Sequence, residues 1–323
     1  MYKPKDSSKS PRFTGVRTFM RLENIQTTDN VDFVIVGVPF DTAASNRVGA
    51  RYGPQHVRNS SVLLRPYNPD QEINIFEYCS GVDYGDINVV PGNVHRTYHN
   101  LVEGLSPILE KDIIPIIIGG DHSISLGNLR AFHKKYGPIA LVHFDAHGDT
   151  WDNYYGEKYM HGTPFRRAVE EGLIDVDHSI QVGMRGPLYG PEDIEDARDL
   201  GFEVIPMNEV RRLGQKEVLR RIHERVGDDC PVFVSFDIDF VDPAYAPGTG
   251  TPEVAGPTSY EALEYVRGLK GLNTVGFDLV EVLPAYDHGE ITAALASSVA
   301  YEMITLIAIK KQQNKRNAKV DTL

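Results

Sequence analysis

The chain has 323 residues and carries 33 Lys and Arg against 45 Asp and Glu, which gives a formal net charge of −12. Hydrophobic residues make up 41% of the chain and charged residues 24%, a globular composition that excludes collagen-like, coiled-coil and largely disordered classes. The acidic balance, with no basic stripe, argues against a nucleic-acid partner and gives no reason to expect an anionic membrane as a partner.

The two cysteines, Cys79 and Cys230, lie outside any CxxC motif and any Cys/His cluster in the sequence. We expect buried or free thiols, a usage that suits a reducing cytosol. Residues 1–12 lack the ~7–15-residue apolar stretch of a signal peptide. The longest apolar run, 113–118, is far shorter than the ~18 residues of a membrane span. A cytoplasmic protein without a membrane partner is therefore expected.

After a polar N-terminal arm over residues 1–28, short apolar runs alternate with amphipathic stretches. We predict strands at 33–38, 115–118, 139–144, 179–182, 203–205, 232–236 and 274–277. We predict helices near 54–63, 95–111, 123–135, 164–172, 190–199, 214–226, 258–268 and 291–311. Several strands are apolar at consecutive positions, as in a parallel sheet covered on both faces. The pattern predicts one α/β domain over 29–323, with three α/β/α layers and a central, mostly parallel sheet.

Ligands of open α/β sheets bind beyond the carboxyl ends of the strands, and acidic residues and histidines follow three of the predicted strands. These residues are His122; Asp145, His147 and Asp149; and Asp237 and Asp239. The two-residue spacing within each group directs side chains to the same side of an extended backbone. His143 lies inside a strand and is expected to be a hydrogen-bonded core histidine, whereas His178 is expected on the surface.

Four carboxylates in one crevice repel one another, and two divalent cations balance their charge of −4. Each of the two histidines that follow the strands can then ligate one metal ion. Oxygen and imidazole ligands without thiolate favour Mn²⁺ over a structural Zn²⁺, with Ni²⁺, Co²⁺ and Fe²⁺ as alternatives. Two such ions can hold a water and lower its pKa, which favours hydrolytic chemistry.

Four motifs in order resemble the ureohydrolases, the arginase/agmatinase superfamily of binuclear manganese amidinohydrolases. They are GGDHS (119–123), DAHGDTW (145–151), SFDIDFVDPAYAPGTGTPEVAG (235–256) and DLVEVLPAYD (278–287). The stretches SNRVGARYGPQHVR (45–58) and HGTPFRRAVEEGLID (161–175) are more similar to the agmatinase, guanidinobutyrase and proclavaminate amidinohydrolase branch than to arginase. The resemblance runs from about residue 33 to the C-terminus. It implies an arginase-like fold, two Mn²⁺ ions per chain and a homo-oligomer, a trimer or hexamer.

The resemblance also implies roles for single residues. His122 and Asp149 would ligate one manganese ion, His147 and Asp239 the other, and Asp145 and Asp237 would bridge both. Asp149 would also orient the attacking hydroxide, His161 would shuttle a proton, and Glu281 would hold the substrate guanidinium. From the residues alone, His161 is equally well explained as a loop histidine, and Glu281 is better explained as half of a surface ion pair.

The segment that would meet the far end of the substrate is 150–156, which is bulkier and more aromatic than its arginase counterpart. Arginine is therefore not the first expected substrate. Asp152 would favour an ammonium tail, as in agmatine, and Trp151, with Tyr154 and Tyr155, would either line an apolar linker or only pack the loop. A carboxylate tail, as in 4-guanidinobutanoate or 3-guanidinopropanoate, would instead meet one of three arginines: Arg47, Arg51 or Arg65.

We favour an agmatinase that converts agmatine to putrescine and urea. A guanidino-acid hydrolase and a guanidine hydrolase are the alternatives within this chemistry. Two rivals from other classes are a deacetylase-like enzyme with a single zinc ion and a non-catalytic metal-bound subunit of a homologous complex. The complete set of six ligand positions argues against the first, and the presence of His161 and Glu281 argues against the second.

Overall fold

The centre of the protein is an eight-stranded sheet, seen in a computed structural model that describes residues 1–320. Its order is β4-β1-β5-β10-β9-β6-β7-β8, and the pairings between its described strands are parallel. The strands are β1 (Phe33–Val38), β4 (Gly81–Asp86), β5 (Ile114–Gly119), β6 (Ala140–Phe144), β7 (Ile180–Val182), β8 (Glu203–Ile205), β9 (Val232–Asp237) and β10 (Thr274–Val280). A separate antiparallel pair is formed by β2 (Tyr67–Asn68) and β3 (Ile73–Asn74).

Helices cover both faces of the sheet. They are α1 (Gly53–Ser61), α2 (Val94–Leu109), α3 (Ile124–Tyr136), α4 (Pro164–Glu170), α5 (Glu192–Asp199), α6 (Met207–Leu213), α7 (Gln215–Val226), α8 (Ser259–Arg267) and α9 (Ile291–Val320). One apolar core joins the sheet to α1 and α6–α9, and the other joins it to α2–α5. The predicted three-layer α/β/α fold is thereby confirmed.

The sequence prediction omitted β4, α6 and the β2–β3 pair. The sequence of β4, GVDYGD, is polar because this strand lies at the edge of the sheet, where β1 is its only neighbouring strand and a short stretch, residues 23–25, bonds to its other side at Asp83. Helix α6 has seven residues, of which only Met207 and Val210 are buried, so its apolar repeat is short. The β2 and β3 strands have two residues each.

The segment before residue 28 contributes to the core. Phe19 is fully buried, and its amide donates a 2.8 Å hydrogen bond to Asp83 Oδ2 on β4. The same carboxylate accepts from Arg58 Nε of α1 at 2.8 Å. The N-terminal segment is thus fastened to the edge strand and to α1. The boundary between an arm and a domain at residue 28 stays a prediction.

Helix α9 is the longest element and lies against α1, α8 and the sheet. By length and composition the helical stretch from His288 to Ala318 is apolar enough to cross a membrane, but 83% of its most apolar 18-residue window is buried inside the fold. Its apolarity is therefore accounted for as that of a core helix.

Candidate active site

Four adjacent strands at the centre of the sheet, β5, β10, β9 and β6, deliver the candidate site. His122 follows β5, Glu281 follows β10, Asp237 ends β9, and Asp145 directly follows β6. Because all four strands are parallel, their carboxyl ends meet at one edge. The structure thus brings together residues that are up to 159 positions apart in the sequence.

The first group of side chains surrounds His122, which is completely buried. Its Nδ1 lies 3.1 Å from Asp145 Oδ2, 2.8 Å from Asp149 Oδ2 and 3.2 Å from Asp237 Oδ2. On the other side of the ring, Nε2 shares a 2.9 Å hydrogen bond with Ser235 Oγ. Ser235 therefore orients the imidazole so that Nδ1 faces the three carboxylates.

The second group surrounds His147. Its Nδ1 lies 3.3 Å from Asp145 Oδ1 and 3.1 Å from Asp239 Oδ2. Asp145, His147 and Asp239 offer ligand atoms within 4.8 Å of one another. Asp145 thus faces both histidines, one with each carboxylate oxygen. The amide of Asp239 donates to Asp237 Oδ1 at 2.8 Å and fixes the turn that follows β9.

These two groups fit a pair of cations. Among the described residues, His122 Nδ1 has no hydrogen-bond partner of acceptable geometry, although three carboxylate oxygens lie close to it. Burial raises the pKa of Asp237 well above its ordinary value, and the charges of Asp239 and Asp145 raise it further. Burial and Asp145 likewise raise the pKa of Asp239. Asp237 and Asp239 therefore lack sufficient countercharge from the protein itself, which two divalent ions would supply.

His143 holds the carboxylate that faces both histidines. Gln181 Nε2 donates to Gly148 O at 2.7 Å and lies 3.0 Å from His143 Nδ1. Because the carbonyl oxygen of Gly148 can only accept, the side-chain atom of Gln181 that faces it is the NH₂ nitrogen. That NH₂ group has a second hydrogen, which it donates to His143 Nδ1, so Nδ1 is the acceptor. The neutral ring then carries its proton on Nε2, which donates to Asp145 Oδ2 at 2.8 Å. The predicted core histidine is hydrogen-bonded, and its partner is a predicted metal ligand.

Glu281 and His161 form a second buried pair beside the carboxylate cluster. Glu281 Oε1 accepts from the amide of His122 at 3.0 Å and lies 3.2 Å from His161 Nδ1. The other ring nitrogen, Nε2, lies 2.6 Å from Ser45 Oγ. Gly250 passes so close that a Cβ there would lie 3.2 Å from Glu281 Oε2. A glycine thus leaves this second carboxylate oxygen room for a ligand.

The charge of Glu281 controls the protonation of His161. Burial by itself lowers the pKa of His161, but the hydrogen bond and charge of Glu281 outweigh it and raise the pKa to about 9. The amide of Ser45 points at Nε2 from 3.1 Å and favours the neutral ring. A full carboxylate charge in a buried site is the stronger of the two effects, so the ring is a cation near neutral pH.

Two of the candidate site residues have left-handed backbone. Asp149 has φ of 51° and Glu281 has φ of 62°, a conformation that residues other than glycine seldom adopt. Such strain is held in place by the surrounding structure and concentrates at functional sites. No sequence pattern at these two positions predicts it.

The site opens into a cavity of about 640 Å³ lined by Asp149, Asp237, His147 and His161 at its base. Trp151, Tyr154, Tyr155 and Tyr189 also line it, and the Trp151 ring lies 4.4 Å from that of Tyr154 and 5.4 Å from that of Tyr189. The aromatic residues of the 150–156 segment therefore form a wall of the cavity. Glu281, only 2% exposed, is not among the residues that line the cavity, but it lies 3.2 Å from His161, which does line it.

The residues proposed for the substrate tail fall in different places. Asp152 is outside the described cavity lining, and its carboxylate pairs with Arg167 at 2.8 Å. Arg51 is engaged by Asp41, and Arg65 is exposed outside the lining. Arg47 lines the cavity, with its guanidinium 4.4 Å from the centre of the Tyr286 ring.

Arg185 also lines the cavity, but its donors are used within the protein. It donates to the carbonyls of Val254 (3.0 Å), Asp239 (2.7 Å) and Glu253 (2.9 Å). It thereby joins the turn that carries Asp239 to the loop beyond Thr251. Sequence analysis missed Arg185, Gln181 and Ser235. Their only signal is that each lies in or just after a predicted strand beside the site.

Comparisons with known proteins agree with this geometry. The Arginase family matches residues 31–305. The chain is 46% identical over 270 residues to the mitochondrial agmatinase of Gallus gallus, covering 84% of this chain and 79% of that protein. It is 42% identical over 284 residues to guanidinobutyrase of Pseudomonas aeruginosa, covering 87% and 89%. The solved proclavaminate amidino hydrolase of Streptomyces clavuligerus matches with a TM-score of 0.88 at 42% identity, covering 93% of this chain and 99% of that one. The chain belongs to the arginase family.

Proposed function

We propose that this arginase-family hydrolase cleaves a linear guanidino compound to urea and a primary amine, with agmatine as its first substrate. The observation that carries the proposal is the convergence of four carboxylates and two imidazoles beside the Glu281–His161 pair, where Asp149, Asp237, His147 and His161 line the base of one cavity. The relatives described above, named as agmatinase and amidinohydrolases, support the reaction class.

We further propose that the cluster holds two Mn²⁺ ions per chain, with Ni²⁺ or Co²⁺ as alternatives. His122 and Asp149 would hold one ion, His147 and Asp239 the other, and Asp145 and Asp237 both. When bound, such ions neutralise the carboxylates and activate a water as the nucleophile. Ser235, His143 and the backbone amides around the cluster keep the ligands in place.

Glu281 and His161 act on the substrate. Glu281 accepts hydrogen bonds from the planar guanidinium, a charge-assisted contact that fixes its orientation. A bound guanidinium also cancels the Glu281 charge that raises the pKa of His161. The His161 proton is therefore released more readily once substrate is bound, and it passes to the departing amine. Ser45 holds the imidazole through Nε2.

A guanidino acid is the second candidate substrate, and Arg47 is the observation that favours it. Among the three arginines considered for a carboxylate tail, Arg47 lines the cavity. The acidic residues Asp193 and Glu253 line the same cavity and are suited to an ammonium tail. The 46% identity with an agmatinase over most of the chain supports agmatine as the first candidate.

Urea release from agmatine, 4-guanidinobutanoate, 3-guanidinopropanoate, arginine and guanidine, after loading with Mn²⁺ and separately with Ni²⁺, tests the reaction and the tail together. We expect agmatine to give the highest kcat/KM. Arg47→Gln should then change agmatine turnover little. The matched control is Arg65→Gln, because Arg65 is exposed and lies outside the cavity lining. If the parent enzyme instead prefers a guanidino acid and Arg47→Gln abolishes that preference, the proposed substrate becomes a guanidino acid, not agmatine.

No urea from any of the five compounds, with two metal ions bound per chain, would favour a guanidino compound outside this panel or the non-catalytic subunit instead. A homo-oligomer, as a trimer or hexamer, and a cytoplasmic location are further parts of the proposal. Sedimentation of the metal-loaded protein tests the first.

A further inference from the structure

A second set of metal-ligating side chains lies at the opposite edge of the sheet. Asp175 and His178 precede β7, and Cys230 precedes β9, so all three lie at the amino ends of strands. One ligand atom from each side chain can be chosen so that all lie within 4.8 Å of one another. Cys230 is more than 50 positions from Asp175 and His178 in the sequence. The sequence pattern therefore predicted a surface histidine and an isolated thiol, with no connection between them.

The start of strand β6, with the residue directly before it, anchors both halves of this cluster. The amide of Asp175 donates to Ile139 O at 3.0 Å, and the amide of Ala140 donates to Pro231 O, next to Cys230, also at 3.0 Å. Because β6 lies between β7 and β9 in the sheet, the three ligands are held at fixed positions by the backbone of their common neighbour.

The turn that carries Asp175 and His178 is further fastened through its backbone. Arg225 donates to Val176 O at 2.9 Å and to Ser179 O at 3.2 Å, and Ser179 Oγ donates to Asp175 O at 2.6 Å. These bonds use main-chain carbonyls and leave the side chains free. The Asp175 carboxylate and the His178 ring already face each other, with Oδ2 2.9 Å from Nδ1.

Cys230 completes the cluster. Its side chain is half-buried, and its sulfur contacts Pro231 O at 3.8 Å and the backbone amide of Ala140. Burial raises the pKa of the thiol, and the charge of Asp175 raises it further. A cation that ligates the sulfur replaces this proton, so binding releases one proton from the thiol.

We propose that Asp175, His178 and Cys230 bind one divalent cation of the zinc type, separate from the active site. Thiolate, imidazole and carboxylate together suit Zn²⁺, with water as a fourth ligand. The carboxylate and the thiolate balance the charge of the ion. The ion links the turn before β7 to the start of β9, and therefore stabilises the folded chain.

Cobalt titration of the full-length, Mn²⁺-loaded protein tests the proposal, because Co²⁺ bound to a thiolate gives a near-ultraviolet charge-transfer band. The six predicted active-site ligands include no thiol, and Cys79 is completely buried. We expect the band in the parent and in the Cys79→Ser control. It should be lost in Cys230→Ser, and His178→Ala and Asp175→Asn should need at least tenfold more Co²⁺.

Absence of the band in the parent at excess Co²⁺ would overturn the proposal. A band of unchanged affinity in both His178→Ala and Asp175→Asn would also overturn it, since a lone thiol would then be the binder. In parallel, Zn²⁺ should raise the Tm of the parent more than that of Cys230→Ser. Cys230→Ser should release urea at the parent rate, so this result is independent of the proposed function.

Discussion

Replacing His143 by Phe tests whether the hydrogen bond to Asp145 keeps the metal centre in shape. The ring is fully buried and packs 4.4 Å from Phe165, so an aromatic replacement keeps most of the packing. The 2.8 Å bond from Nε2 to Asp145 Oδ2 is lost. A hydrogen bond to a charged group contributes ~1.5–3 kcal/mol, which corresponds to a ~10–100-fold change in binding.

Loss of partners that hold metal ligands usually weakens metal affinity or activity by the same ~10–100-fold. We therefore expect His143→Phe to release Mn²⁺ at ~10–100-fold lower concentrations of a competing chelator, with KM for the guanidino substrate little changed at saturating Mn²⁺. Metal content by atomic absorption and urea release over a Mn²⁺ titration measure the two effects.

His223→Phe is the matched control, since His223 of α7 loses a comparable 2.8 Å bond, to Gly268 O, away from the predicted ligands. An unchanged chelator midpoint in His143→Phe would refute the assigned tautomer and its role. Equal weakening in both variants would show that general destabilisation, not the Asp145 contact, is responsible.

His161→Asn should keep both metal ions and slow urea release by ~10²–10⁴, measured as kcat beside the metal content. Because the pKa of His161 is raised to about 9, the ring is protonated below that pH. The kcat/KM of the parent should therefore fall as the pH rises through this value, and the His161→Asn variant should not show this fall. Arg58→Met leaves Asp83 buried without its cation and should cost ~3–5 kcal/mol in urea unfolding. Thr258→Ala removes the capping box with Glu261 at the start of α8 and should cost ~1 kcal/mol.

The central strands could be predicted because both of their faces are buried. Residues 33–38 and 232–236 are apolar at nearly every position, and burial on both faces requires this. The strand ends then indicated where His122, Asp145 and Asp237 would meet, since parallel strands share one carboxyl edge. The approach failed at β4, whose polar sequence reflects an edge position that only the assembled sheet defines.

The supporting contacts of the site could not be predicted in this way. His143 lies in β6 and Asp145 directly follows that strand, so their proximity could be predicted from the sequence. The tautomer of His143 depends on Gln181 from a neighbouring strand, which the sequence pattern does not reveal. Asp152 lies beside Trp151 in sequence, yet only Trp151 lines the cavity, because Arg167 holds the Asp152 carboxylate elsewhere. Loop side chains are positioned by such tertiary partners, which local patterns do not reveal.

The division of the site between strands and loops has a consequence for how such an enzyme diversifies. The reacting end rests on buried strands, and we expect their amide protons to exchange only when the chain unfolds globally. Arg47, Trp151 and Tyr189 extend from loops, where insertions and replacements are tolerated. New substrate tails can therefore be acquired by changing loops, while the guanidino chemistry is inherited intact.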